Sequence, residues 1–206
     1  MSAPPHTLRI TGGALRGRKL AVPPGFSVRP TAERLREALF NRLAHGGFGA
    51  GAASILTDAR VLDLCSGTGA LAFEALSRGG EHATLVEADP ATLRLARDNA
   101  TALDIAKRCT FLASRLPVGL PPGPFDLAFF DPPYAAELYQ PVLQALAQRR
   151  CVRPGGLVSV EAPAKLDLMI PAGFTLLHEQ RYGAARLWLL QADEAGQARP
   201  QPSPER

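Results

Sequence analysis

From Arg60 onward, short apolar runs alternate with longer segments of helical spacing, and this alternation limits the chain to few folds. Val61-Leu62-Asp63-Leu64, Ala83-Thr84-Leu85-Val86, Thr110-Phe111-Leu112, Leu127-Ala128-Phe129-Phe130 and Leu157-Val158-Ser159-Val160 read as strands. Between them, 70–77, 91–103 and 137–150 read as helices. Parallel neighbours need crossover connections, so strand, helix, strand in succession implies a parallel sheet covered by helices on both faces. The expectation is a doubly wound α/β domain. Near the end, 174–179 and 186–190 are separated by a few residues around Tyr182-Gly183-Ala184, too few for a helical crossover. That pair is expected to form an antiparallel hairpin closing one edge of the sheet.

The first 45 residues differ in pattern and in charge. The segments 7–10 and 18–22 read as two short strands joined by glycine turns, forming a small β-hairpin. A helix is predicted over 31–44, with Leu35, Leu39 and Leu43 on one stripe, Thr31 as N-cap and Gly46-Gly47 as the stop. The Gly/Ala stretch 46–53 reads as a linker. This divides the chain into a basic arm of hairpin and helix over 1–45, the α/β domain over 53–192, and a polar, proline-rich tail over 193–206 expected to be disordered. Residues 1–44 carry a balance of +6, against −2 for the remainder. Arginine-rich codon usage accounts for the residue type but not for its confinement to one end. A cationic arm on a near-neutral body is the footprint of a polyanion partner.

Cys65, Cys109 and Cys151 lie far apart with no close Cys or His, so neither a disulfide framework nor a metal site is expected. The first ten residues lack a signal peptide's apolar stretch, and no run approaches the roughly 20 apolar residues of a membrane span. A soluble cytoplasmic protein without membrane contact is the expectation.

In a parallel sheet, ligands sit beyond the carboxyl ends of the strands where the strand order reverses, and a glycine loop after the first strand marks the place. Here that loop is VLDLCSGTGAL. Gly67 and Gly69 let the backbone turn and approach a ligand, and Glu87 ends the next strand, where an acid can accept from ribose hydroxyls. The loop alone does not separate two cofactor classes. Asp63 does, because a carboxylate four residues before the first glycine would repel a dinucleotide's pyrophosphate. S-adenosylmethionine brings a sulfonium and an α-ammonium, which that carboxylate attracts. The alternative for Asp63 is a structural cap on the loop's own N–H groups.

The fourth strand ends in Asp131-Pro132-Pro133-Tyr134. Two prolines hold this loop extended and remove N–H donors, leaving acceptors only. Such a site suits an amino group. With one N–H on Asp131 and the other on the Pro132 carbonyl, a base nitrogen would turn its lone pair toward the sulfonium methyl, and Asp131 would stabilise the charge developing on nitrogen. The Tyr134 ring offers a face on which a flipped base can stack.

These motifs resemble those of bacterial 16S ribosomal RNA guanine-N2 methyltransferases of the RsmD type. The likeness runs through RITGGALRGRKL, RPTAERLREALFNRL, LDLCSGTGAL, EALSRG, FFDPPY and RYGAARLWLL. The glycine loop and DPPY are shared with many amino-methyltransferases, whereas RGRKL with RPT and R-x-R-E is more specific. The resemblance implies a class I, Rossmann-like methyltransferase with a seven-stranded, mostly parallel sheet. It implies S-adenosylmethionine as donor and a guanine amino group of 16S rRNA as acceptor, within a 30S subunit or assembly intermediate, and a monomeric enzyme. It gives Asp63, Gly67, Gly69 and Glu87 cofactor roles, and Asp131, Pro132 and Tyr134 the reaction. Arg16, Arg18, Lys19 and Arg29 would contact phosphates, while Arg34 and Arg36 are equally suited to ion pairs with Glu33 and Glu37. Where family members tend to offer Asn or Asp near the adenine, this chain reads Ala113-Ser114-Arg115, which leaves Ser114 as the cofactor contact. The competing readings are an adenine-N6 DNA methyltransferase, a protein-amide methyltransferase, a dinucleotide oxidoreductase and a non-enzymatic RNA-binding protein.

Overall fold

Every apolar run between Arg60 and Phe130 becomes a parallel strand, because each is followed by a helix or a long connection that returns the chain to the same edge. The computed structural model describes residues 8–23, 30–48, 54–133 and 137–194. In chain order the elements are α1 (Pro30–His45), β1 (Arg60–Leu64), α2 (Ala70–Ser77), β2 (His82–Glu87), α3 (Pro90–Ala102) and, after a short 3₁₀ turn, β3 (Cys109–Ala113). They continue with β4 (Phe125–Phe130), α4 (Tyr139–Gln148), β5 (Val152–Pro163), β6 (Phe174–Tyr182) and β7 (Ala185–Ala192). The sheet order is β3-β2-β1-β4-β5-β7-β6, with β7 antiparallel to both neighbours. This is the doubly wound, seven-stranded class I arrangement with its terminal hairpin.

The order reverses at β1, which pairs with β2 on one side and β4 on the other. Leu64 is level with both Val86 and Phe130, so the loops leaving β1, β2 and β4 emerge side by side. Alternation along β1 and β4 feeds two cores. Val61, Leu127 and Phe129 pack with α1, α2 and α3, while Leu62, Leu64, Ala128 and Phe130 pack with α4. Asp63 falls on the first of these faces, where the period calls for an apolar side chain, and it is 2% exposed.

The N-terminal segment joins the same core. Leu8, Ile10 and Leu20 are buried with Leu35, Leu39, Phe40 and Leu43 of α1. The expected hairpin is short: Arg9 bridges Lys19, with Ile10 N–H donating to the Arg18 carbonyl (3.0 Å) and Leu20 N–H to the Leu8 carbonyl (2.8 Å). The turn between its two strands is fastened to α2. Thr11 donates its N–H (2.8 Å) and its hydroxyl (2.7 Å) to the Glu74 carboxylate, Ala14 N–H donates to the Ser77 carbonyl (2.8 Å), and Leu15 N–H to Ser77 Oγ (2.9 Å). Those groups belong to the turn, and the strand pairing ends where the Ala21 N–H turns to Asn99 Oδ1 (2.8 Å). Glu74 is wholly buried yet also receives Arg78 Nε at 2.8 Å, so its charge is paired.

Several boundaries differ from expectation, two of them for reasons the structure shows. The first helix starts at Pro30, before Thr31. The helix predicted from 137 starts at Tyr139, since an earlier start would place Pro141 where an intrahelical N–H is required; Val142 N–H instead makes the first bond, to the Leu138 carbonyl (3.0 Å). β5 extends well before Leu157, and a register shift between Phe125 and Leu127 of β4 absorbs the Pro154-Gly155-Gly156 stretch. The expected tail falls, apart from Asp193 and Glu194, outside the described residues, as does most of the linker.

Candidate active site

The turn after β1 relies on left-handed backbone at Cys65 (φ 59°), Gly67 (φ 54°) and Gly69 (φ 85°). Only glycine fits Gly69, where a Cβ would lie 2.4 Å from the Phe73 ring. Carboxylates from two strands fasten the turn. Asp63 Oδ2 accepts the Ala72 N–H in the first turn of α2 (3.0 Å), and Glu87 accepts from Gly67 (3.0 Å) and Asp89 (3.0 Å), one bond to each oxygen. Asn99 of α3 ties the turn to the arm, donating to the carbonyls of Thr68 (3.2 Å) and Ala21 (3.0 Å) and accepting the Ala21 N–H (2.8 Å).

A cavity of about 480 Å³ opens over this turn, within the range of small-molecule sites. Of the residues singled out in the sequence, Asp63, Gly67, Asp131 and Pro132 line it. Glu87 is joined to the lining through its bond to Gly67. Gly69 shapes the turn from below, and Ser114 is held at the end of β3 through its N–H to the Glu87 carbonyl (3.0 Å), away from the cavity wall. Arg16, Arg18 and Lys19 are exposed, and the Arg18 guanidinium donates to the Ala102 carbonyl at the end of α3. Tyr134 and Arg29 lie outside the described residues. Sequence reasoning missed Arg36, Cys65, Ser66 and Glu161, all on the cavity wall. For Arg36 the sequence offers only its spacing: it precedes Phe40 by four residues and so shares a face of α1 that the fold then buries.

The site is anionic. Burial pushes the Asp63 carboxyl up to about 8, with Asp131 and Glu87 raising it further against the opposing Ala72 N–H bond. Burial, followed by the same three carboxylates, pushes the Cys65 thiol up to about 12. A thiol so raised stays protonated near neutrality and is no nucleophile. A cation entering this cavity relieves mutual repulsion, which suits a sulfonium and an ammonium. The donor set fits S-adenosylmethionine on further grounds: Gly67 faces open space, with nothing within 4 Å of a notional Cβ, and the buried Ser66 Oγ has no partner.

Residues 8–191 match the family profile described as Conserved hypothetical protein 95. The chain is 32% identical to "Ribosomal RNA small subunit methyltransferase D" of Escherichia coli (strain K12) over 96% of its own length and 98% of that protein. It is 30% identical to the protein of the same name from Haemophilus influenzae, over 89% of its length and 93% of that protein. The solved structure of yhhF from Escherichia coli superimposes with a TM-score of 0.78 at 33% identity, covering 91% of this chain and 98% of that one. Profile, near-complete coverage and shared fold agree, and the chain belongs to the ribosomal RNA small subunit methyltransferase D (RsmD) family.

Proposed function

We propose that the protein methylates the exocyclic N2 of a guanine in 16S rRNA, using S-adenosylmethionine as donor. Methylation of ribosomal RNA follows from the family; the chemistry of the loop after β4 supports an exocyclic amino group as acceptor, and the choice of guanine N2 rests on the resemblance of the motifs to those of guanine-N2 methyltransferases. The observation that carries it is that Asp131 and Pro132 share one cavity with Asp63 and the glycine turn. S-adenosylmethionine supplies an electrophilic methyl group when bound. Asp63 balances its positive end, Gly67 lets the backbone come close, and Glu87 keeps lone pairs for ribose hydroxyls beyond its two backbone bonds. Asp131 accepts one N–H of the incoming amino group, the Pro132 carbonyl accepts the other, and the Asp131 charge offsets the positive charge developing on nitrogen. Tyr134 stacks on the extruded base. Ser114 keeps only a secondary part in this reading, at the adenine end.

Mass spectrometry of nucleosides from 16S rRNA of cells with and without the gene tests the reading. N2-methylguanosine lost on deletion and regained on complementation is expected; a lost methyladenosine in its place would overturn it.

The arm supplies the RNA-facing charge through Arg16, Arg18, Lys19 and Arg29, on a 30S subunit or assembly intermediate, to one enzyme molecule. Because Arg18 also caps α3, reversal of Arg16 and Lys19 is the cleaner probe. RNA affinity should fall, and the slope of log affinity against log salt should flatten by roughly 0.7 to 0.9 for each phosphate contact removed. An unchanged slope in filter-binding titrations would confine the arm to capping the sheet.

A further inference from the structure

Arg36 reaches the cavity from α1, a helix whose apolar stripe gave no sign of a ligand. Leu35, Leu39, Phe40 and Leu43 are all buried, so the inward face is two residues wide and Arg36 lies on it, 7% exposed. One end of the guanidinium donates to the Arg9 carbonyl (2.8 Å), while Nε is buried without a partner. Glu74, Glu33 and Glu37 are near enough to act on it electrostatically, but Glu74 is already bonded to Thr11 and Arg78, and among the described residues no carboxylate forms an ion pair with Arg36. Arg36 is also the one Lys or Arg among the described residues on a cavity wall that carries Glu33, Asp63, Asp131 and Glu161. Ser66, on the same wall, holds a second buried and unpartnered atom, its Oγ.

The two unpaired atoms need explaining, because a buried donor left unsatisfied forfeits its hydration with nothing in exchange. The amino-acid end of the donor explains them. It carries an α-carboxylate beside its ammonium, and a wall of four carboxylates repels that group unless a cation receives it. We infer that Arg36 binds the α-carboxylate of the donor's amino-acid end, with the Ser66 hydroxyl donating a second hydrogen bond. This rests on the reading of the cavity as an S-adenosylmethionine site and adds α1 to its walls. It also joins the cofactor to the arm, since the same guanidinium holds Arg9, which bridges to Lys19.

The test compares S-adenosylhomocysteine with its decarboxylated form by titration calorimetry on the full chain. These ligands differ by one carboxylate and keep the ammonium. The wild type should bind the carboxylated form at least about tenfold more tightly, the size expected of a charge-assisted contact. Arg36→Met should shrink that gap to within about twofold, and Arg36→Lys should restore part of it. Ser66→Ala should narrow it by a smaller factor, and serves if Arg36→Met does not fold. A wild type that binds both ligands equally overturns the inference. So does an Arg36→Met or Ser66→Ala protein that weakens both ligands alike and keeps the gap, which is what a merely structural role would do. A wild type that binds neither ligand overturns the cofactor reading itself.

Discussion

Replacing Asp131 by Ala will slow methyl transfer by about 10²–10³-fold while affinity for S-adenosylhomocysteine stays within about threefold. The asymmetry follows from position. Asp131 is at the exposed mouth of the cavity, past the end of β4, whereas the carboxylate under the glycine turn is Asp63. An acceptor at the mouth meets the substrate amino group and the charge that grows on it in the transition state, so its loss falls on turnover. Asp131→Asn keeps an acceptor oxygen but loses the charge, and should fall between wild type and Ala. Single-turnover assays on ribosomal RNA separate the chemical step from binding. A near-normal rate in Asp131→Ala would withdraw the acceptor role from this loop.

The parallel strands, the reversal at β1 and the closing hairpin were legible because each follows from local spacing and connection length. The same rules bring Asp131 beside the turn at Gly67. What could not be read were the partnerships across long sequence separations. Nothing in EALSRG reveals that Glu74 is buried, since its partner Thr11 stands 63 residues earlier. That one pairing anchors the turn of the expected hairpin to α2. Arg36 reads equally as a phosphate contact or an ion-pair partner of Glu33 and Glu37, since Leu35, Leu39 and Leu43 define only a narrow stripe. The face widens where Phe40 packs on Phe129 of β4 at 5.5 Å between ring centres, a contact that depends on the sheet being in place. Ser114 rests on the resemblance alone: its N–H continues the β2–β3 ladder to the Glu87 carbonyl and its Oγ lies beside Gly119, neither of which local spacing reveals.

Asp63 makes the ligand-free protein lose stability as pH rises. Its carboxyl keeps its proton up to about 8 in the folded chain, against an ordinary value of 3.8. Between these limits the folded state binds one proton more than the unfolded state, so stability falls with pH, by at most about 1.4 kcal/mol per unit. Urea unfolding at several values from pH 5 to pH 8 should show this slope in the wild type and lose it in Asp63→Asn; the difference between the two isolates Asp63. Asp131→Ala takes away one of the carboxylates that hold Asp63 up, so its slope should end at a lower pH. Binding runs the other way. A sulfonium and an ammonium favour the ionised carboxylate, so docking expels the proton, and affinity for S-adenosylmethionine should climb by up to about tenfold per pH unit below 8. In Asp63→Asn that climb should vanish and affinity at pH 8 should drop. Stability that rises between pH 5 and pH 8, with affinity indifferent to pH, would mean that Asp63 is ionised and paired within the protein, and that its work is to cap α2.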